Sequence, residues 1–288
     1  MAVDLHLHTT HSDGSYAPKD LVDLVRRFDV EVMAVTDHDD ISGVSEAQAR
    51  GKEVGVRVIA GIELSIEYPL QGRAHLHLLG LFVDVKNKVL LNVLNNLRQA
   101  RRTRAMEIIE RLQKQNIDVR FEELQQLVSG QSIGRPHIAH LLVKKGVVAT
   151  VKEAFERYLG RSAPGFVAKK KLALEEAIRT IHEAHGLAIQ AHPVSLFAKD
   201  FKELRNYLDQ FKEMGMDGVE AYYSYHPPEL TRFLLEYAAQ NKMAVSGGSD
   251  FHGEAKPDIK PAIGTGHLHI PSEIVSALVD FREQKYGR

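Results

Sequence analysis

Short runs of alternating or continuous apolar residues cover positions 3–8, 31–36, 56–60, 62–67, 75–83, 187–191, 218–221 and 243–246, and each reads as a β-strand. Between most of them the apolar residues recur every three or four positions. Pro18, followed by Leu21, Val22, Leu24, Val25 and Phe28, has a proline placed for a first helical turn and a single apolar face. Similar faces over 45–54, 174–184, 201–214, 229–241 and 271–281 predict further helices. Repeating strand and helix units with short connections predict an α/β fold built on a parallel sheet or barrel.

This rhythm stops between residues 87 and 168, where helical patterns alone remain. They cover 88–115, 121–128, 136–144 and 151–158, with turn-rich joints at Ser129-Gly130 and Ala163-Pro164-Gly165. The expected division is a discontinuous barrel, 1–86 plus 169–288, carrying an inserted all-helical cap, 87–168. No internal repeat at a solenoid period is present.

Composition narrows the chemistry. With 37 Lys+Arg against 38 Asp+Glu, the net charge of −1 gives no global attraction for a polyanion. There is no cysteine, which excludes disulfides, thiolate nucleophiles and thiolate-held zinc or iron, so any metal must sit on nitrogen and oxygen. The first residues lack a basic segment with an apolar core, and no stretch approaches 18 uninterrupted apolar residues, so a cytoplasmic protein without a membrane anchor is expected. What stands out is 15 histidines.

Several of them fall, with carboxylates, at the ends of the strands. His6 and His8 end the first, Thr36-Asp37-His38-Asp39 follows the second, Glu63 lies in the fourth, and His75 and His77 lie in the fifth. His192 sits in Ala191-His192-Pro193, and Asp250 and His252 follow Gly247-Gly248-Ser249. A two-residue spacing on a strand aims both side chains at one face, so His6 with His8 can clasp one cation, and Asp250 with His252 repeats the spacing. Each has an ordinary reading when taken alone: a polar strand face, a solvated edge glutamate, a turn aspartate at Asp13. In a parallel barrel all strand C-termini open on one face, so ligand-type residues at six strand ends converge as a multinuclear metal site requires. Asp37 is expected to order a neighbouring ligand or the strand end rather than to bind metal.

The succession His-x-His, Asp13, Thr-Asp-His-Asp, Glu63, His77 before Leu78-Leu79-Gly80, Ala-His-Pro and Ser-Asp-x-His, spread over residues 4–252, resembles the PHP (polymerase and histidinol phosphatase) family. The resemblance implies a distorted (β/α)7 barrel with up to three divalent metals at the strand C-termini. It implies His6, His8, Glu63 and Asp250 around one metal, Glu63, His77 and His192 around a second, and Asp13, His38 and His252 around a third. His77 is preferred to His75 because it directly precedes Leu-Leu-Gly. Within the family, the helical insertion, Gly134-Arg135-Pro136-His137 and Ala-His-Pro are similar to those of bacterial phosphoesterases that act on nucleoside 3',5'-bisphosphates or trim RNA from its 5' end. Mixed imidazole and carboxylate ligands suit manganese, the metal expected, as well as iron or zinc. Two such metals supply a hydroxide at neutral pH and clamp the attacking and leaving oxygens. The expected reaction is hydrolysis of the 3'-phosphate of a nucleoside 3',5'-bisphosphate, with Asp13, His38 and His252 nearest the chemistry. His38 and His252, or the third metal, would neutralise a non-bridging oxygen; the leaving-group proton would come from Asp13 or a metal-held water.

The long cap helix adds a substrate hypothesis. Its apolar stripe runs Leu90, Leu94, Leu97, Ala105, Ile108 and Leu112, and Arg101 fills the gap, with Arg98 and Arg104 three residues to either side. Arginines on a helix are commonly solvated, but one in line with an apolar stripe must snorkel out or meet an anion. Arg135, just before Pro136, falls at a helix start where backbone donors and the dipole favour phosphate, and His137 is its neighbour. Arg98, Arg101, Arg104, Arg135 and His137 are therefore expected to hold a non-reacting phosphate. One of Tyr222, Tyr223 and Tyr225 is expected to reach the open face and two to pack; His140, His182, His185, His226, His267 and His269 are read as structural or surface residues.

Four other readings compete. A 5'-3' exoribonuclease on short RNA uses the same parts. A histidinol-phosphate phosphatase would not need the arginines. Amidohydrolase-type C–N cleavage typically wants a bridging lysine or carboxylate, and no barrel strand ends in such a lysine. A non-catalytic module would have lost ligands, whereas this set is complete. The expected partner is a small nucleotide or short RNA, with no DNA-binding module and no obligate protein partner.

Overall fold

The computed structural model describes residues 2–70, 72, 74–127 and 133–287. The chain begins with β1 (Ala2–Leu7), α1 (Pro18–Arg26), β2 (Val30–Val35), α2 (Val44–Val54), β3 (Arg57–Glu67) and β4 (Leu76–Leu81). Then come α3 (Lys88–Gln113), α4 (Phe121–Leu127), α5 (Arg135–Lys144) and α6 (Val151–Ala154), which runs into a π turn at Phe155–Leu159. The remainder is β5 (Leu172–Ala173), α7 (Leu174–Glu183), β6 (Leu187–Gln190), α8 (Phe201–Glu213), β7 (Gly218–Tyr223), α9 (Pro228–Asn241), β8 (Ala244–Gly248) and α10 (Glu273–Tyr286). The turn expected at Ser129-Gly130, and Val128 at the end of the second cap helix, lie outside the described residues.

The strands are ordered β1-β2-β3-β4-β6-β7-β8, with β5 pairing off β3. The two edges approach each other just past β8: the Asp250 N–H donates to the His6 carbonyl at 2.9 Å and the His8 N–H to that of Phe251 at 3.1 Å. The result is the expected α/β architecture, a nearly closed seven-strand barrel surrounded by helices.

Two strand expectations need correction. Residues 56–60 and 62–67 form one strand, β3, not two. Gly61 is not a break: a Cβ there would lie 2.7 Å from Thr36 Cγ2 and 2.9 Å from the Val35 carbonyl, so glycine is needed for close approach to β2. Nor do all strand C-termini open on one face, because β4 runs antiparallel to both β3 and β6 and presents its N-terminal end, with His77, to the site. Apolar alternation carries no strand direction.

Beneath the site lies an apolar layer of Val3, Leu5, Val32, Ala34, Ile59, Leu79, Leu81, Leu187 and Ile189, covered by Ile274, Val275 and Leu278 of α10. Val3 and Leu5 share this interior with His6 and His8, which regular alternation forbids. A register shift between Asp4 and Leu7 in the β1–β2 ladder resolves the conflict, since an irregularity of this kind re-aims the following side chains.

The long helix α3 belongs to two cores. Leu90, Leu94 and Leu97 pack with Ala177, Ile178 and Ile181 of α7, whereas Ala105, Ile108, Ile109 and Leu112 join Ile138, Leu141 and Leu142 of α5 in a separate cluster. Arg101 and Arg104 sit at the seam, both largely buried. Among the described residues, no helix is long and apolar enough to cross a membrane.

Candidate metal centre

Glu63 is the hub. Its Oε1 lies 2.8 Å from His77 Nδ1 and 2.9 Å from His192 Nε2, and its Oε2 lies 2.8 Å from His38 Nδ1, 3.3 Å from His8 Nε2 and 3.4 Å from His6 Nε2. Four strand ends, those of β1, β2, β4 and β6, thus deliver five imidazoles to one buried carboxylate. Asp250 Oδ1 approaches His8 Nε2 at 3.3 Å and His6 Nε2 at 3.6 Å. Asp13 Oδ1 lies 3.4 Å from His252 Nε2, and its Oδ2 lies 3.8 Å from His38 Nε2.

Ligand atoms within 4.8 Å of one another form several groups: His8, Asp13, His38 and His252; His6, His8 and Asp250; His6, Glu63 and His192; His38, Glu63 and His77; and His75, His77 and His192. All nine residues expected as ligands from the sequence are therefore brought into one cluster. His75, set aside in favour of His77, stands with it.

Charge and burial oppose each other here. Burial would raise the Glu63 carboxyl, but His38, His77 and His6 hold it well below the usual carboxylate range. Asp13 and Asp250 are likewise held low against burial, the first by His38 and His252, the second by Lys256 and His252. Burial drives His8 and His77 down to about 3, keeping them neutral as metal ligands must be. Burial also acts against protonation of His6, but Glu220, Glu63 and Asp250 outweigh it and raise this ring well above its ordinary value.

Whether this set fits divalent cations is tested by its unsatisfied atoms. His6 Nε2, His8 Nε2, Asp13 Oδ1 and Glu63 Oε2 are buried without a hydrogen-bond partner. Each such atom ordinarily costs about 1–3 kcal/mol. All four belong to the convergent cluster, and cations between them would satisfy every one. The residues fit the group.

Several supporting residues were not singled out from the sequence. Glu220 of β7 places Oε1 3.0 Å from His6 Nδ1, and its Oε2 accepts the His192 N–H at 2.6 Å, so one buried carboxylate orients two ligands. Asp4 accepts from the Ser249 and Ala262 N–H groups at 2.8 and 2.7 Å, tying β1 to the loop that carries Asp250, and burial pushes it up to about 6. A carboxylate inside an apolar strand was the available signal for both. Tyr223 donates to Asp250 Oδ2 at 3.0 Å and Lys256 does so at 2.6 Å. Asp37 stays outside the cluster, as expected, and accepts from the Thr9 N–H and from the hydroxyls of Thr9 and Ser12, bracing the turn after β1.

Beside the cluster is a cavity of about 350 Å³ lined by Asp13, His38, His75, His77, Arg101, Arg104, Arg135, His137, Arg161, Lys169 and Lys171. Arg135 is the first residue of α5; it donates to the Leu159 carbonyl at 2.8 Å and lies over the rings of Phe155 and Phe166. Arg104 donates through Nε to the Val167 carbonyl at 2.9 Å, and burial, with Arg135 and Arg101 nearby, lowers it to about 10. Arg101 is held on Asp39, which also pairs with Lys169 at 2.8 Å. Burial and Arg101 bring Lys169 down to about 8, still charged at neutral pH.

Arg98 does not line this cavity. Three residues before Arg101, it is nearly a turn further down α3, on the half packed against the barrel. Arg161, Lys169 and Lys171 were missed because cations in a connecting segment read as solvent-facing.

Residues 4–255 match the PHP domain. The chain is 36% identical over 249 residues to a 5'-3' exoribonuclease of Haemophilus influenzae, an alignment covering 86% of this chain and 89% of that protein. It is 30% identical over 261 residues to a 3',5'-nucleoside bisphosphate phosphatase of Chromobacterium violaceum, covering 89% and 90%. Its fold is similar to that of a Bifidobacterium adolescentis chain assigned as a metal-dependent phosphoesterase, with a TM-score of 0.81, 29% identity and coverage of 97% and 96%.

Proposed function

The chain belongs to the PHP domain family and is a metal-dependent phosphoric ester hydrolase; from that premise we propose that it cleaves the ester on the 3'-oxygen of a nucleotide bearing a 5'-phosphate, the simplest case being a nucleoside 3',5'-bisphosphate. The observation that carries this reading is the cationic cavity, with Arg101, Arg104, Arg135, Lys169 and Lys171 directly beside the ligand cluster. Five cations around one small cavity repel one another, and a phosphate dianion relieves that repulsion. The names of the relatives in H. influenzae and C. violaceum support the same substrate class.

In this reading three divalent cations, manganese foremost and iron or zinc on the same donors, are held by His6, His8, Glu63 and Asp250, by Glu63, His77 and His192, and by Asp13, His38 and His252. When bound, they activate water and neutralise charge on the phosphoryl oxygens. The chain's own residues do the positioning. Glu220 fixes the His6 ring and the His192 backbone, Tyr223 and Lys256 fix Asp250, and Arg135 presents its guanidinium from a helix start. Asp13, kept anionic by its histidine neighbours, serves as a ligand and acceptor rather than as the donor of the leaving-group proton. Residues 87–168 act as a cap that carries most of the phosphate-binding cations, and 1–86 with 169–288 as the metal-binding barrel.

Phosphate or nucleotide release at neutral pH from a nucleoside 3',5'-bisphosphate, a 5'-phosphorylated RNA oligonucleotide and histidinol phosphate separates the readings. Turnover of the first two in excess of the third by roughly a hundredfold is expected, since the cationic cavity has no second phosphate to bind in histidinol phosphate. Preference for histidinol phosphate contradicts the assignment.

A further inference from the structure

Arg101 and Lys169 line the cationic cavity, but the carboxylate that holds them does not. Asp39, the residue after the ligand His38, is buried behind both cations. Its Oδ2 accepts from Arg101 Nη2 and pairs with Lys169 Nζ at 2.8 Å. Its Oδ1 accepts the Ser65 N–H at 3.0 Å, and Lys169 Nζ also donates to Ser65 Oγ. The Asp39 N–H donates to the Glu63 carbonyl at 3.0 Å. One side chain thus joins the cap helix, the segment that follows the cap and the strand that carries Glu63.

The backbone supports a dedicated role for this residue. Asp39 is held at φ 54°, the left-handed region that residues other than glycine seldom occupy. Such a conformation persists where the surrounding contacts fix it, here the Glu63 carbonyl and the Ser65 N–H. Among the described residues, Arg101 with Asp39 is also the only salt bridge between residues 87–168 and the rest of the chain.

What Asp39 leaves unused on Arg101 faces the phosphate side. Arg101 Nε is buried without a hydrogen-bond partner. Its Nη1 is directed towards the start of α5, where a Cβ on Gly134, just before Arg135, would lie 4.0 Å from it. A carboxylate inside the cavity would compete with phosphate for these cations. One behind them instead keeps two mutually repelling groups together and orders the guanidinium before an anion arrives, which removes that cost from binding.

We propose that Asp39 is a positioning residue for the substrate's 5'-phosphate: it touches neither substrate nor metal, but orients Arg101 and Lys169 so that their remaining donors face one cavity, and so sets the preference for nucleotides phosphorylated at the 5' position. This role rests on the reading that the cationic cavity holds the 5'-phosphate.

The test compares metal-loaded wild type, Asp39→Asn, Arg101→Ala and Asp39→Asn/Arg101→Ala on a nucleoside 3',5'-bisphosphate and on the nucleoside 3'-monophosphate. In Asp39→Asn the ratio of kcat/KM for the bisphosphate to that for the monophosphate is expected to fall about tenfold or more, through KM for the bisphosphate, as loss of one charge-assisted contact would give. The double variant should lose clearly less than the product of the two single effects, because both act on one guanidinium. A nucleoside 5'-monophosphate, which carries no 3'-ester to cleave, should bind Asp39→Asn about tenfold more weakly by calorimetry. The manganese-induced rise in Tm should match that of wild type, showing an intact ligand cluster, and Asp39→Ser gives the same readings should Asp39→Asn not fold. A wild-type preference for the bisphosphate that survives in Asp39→Asn overturns the positioning role alone. So does a lower KM for the bisphosphate in that variant, which would make Asp39 a competitor of the phosphate. Wild type that shows no preference between the two substrates removes the 5'-phosphate reading itself, and the role of Asp39 with it.

Discussion

Glu63→Gln is expected to lower kcat on a nucleoside 3',5'-bisphosphate by roughly 10³-fold or more, because outer partners of metal ligands alone are typically worth about 10–100-fold and Glu63 touches the ligands directly. Both its oxygens are engaged, one by His77 and His192 and the other by His38, His8 and His6. Glutamine keeps the shape but turns one acceptor into a donor and removes the charge that those imidazoles surround. The loss should also appear without substrate. Metal that binds the native state raises stability by about 2.7 kcal/mol at a hundredfold excess over Kd, so adding manganese to chelated wild type should raise Tm measurably. The same addition should raise the Tm of Glu63→Gln much less. Equal metal-induced shifts in the two proteins would remove Glu63 from the proposed ligands.

The second large effect is expected from the cationic cavity. Arg101→Ala/Arg135→Ala should raise KM for the bisphosphate by about 10²–10⁴-fold, since hydrogen bonds to charged groups are worth about 1.5–3 kcal/mol each. Of the pair, Arg135→Ala is the cleaner probe, because the groups that hold Arg135 are a backbone carbonyl and two rings. Arg101 is shared with Asp39, whose charge Lys169 continues to balance in its absence. Steady-state kinetics on the two single variants and the double checks this. An unchanged KM in all three would mean that the cavity does not receive the phosphate.

The parts of this account that could be read from the sequence are those whose residue types are unusual where they stand. Histidines two apart at the end of an apolar strand, or an arginine in line with leucines, conflict with burial unless they have a partner, and His6, His8 and Arg101 are buried. The antiparallel direction of β4 was not legible, since apolar alternation is the same either way, and Gly61 resembled a strand break because its role is contact with another strand. Glu220 and Asp4 carried a visible signal, a carboxylate flanked by apolar residues, but the His6 ring that Glu220 orients and the Ser249 N–H that Asp4 accepts lie more than 200 residues away. Arg161, Lys169 and Lys171 line the cavity beside the ligand cluster only because the end of the insertion and the segment that follows it fold back there. Such charges have no local pattern to distinguish them from solvated ones.

The most direct test of the central claim is the ratio of kcat/KM for a nucleoside 3',5'-bisphosphate to that for the corresponding nucleoside 3'-monophosphate, measured on the metal-loaded wild-type chain. A site whose buried charges await a 5'-phosphate should reject the substrate that lacks it, and a ratio of roughly 10² or more is predicted. Equal values for the two substrates would contradict it.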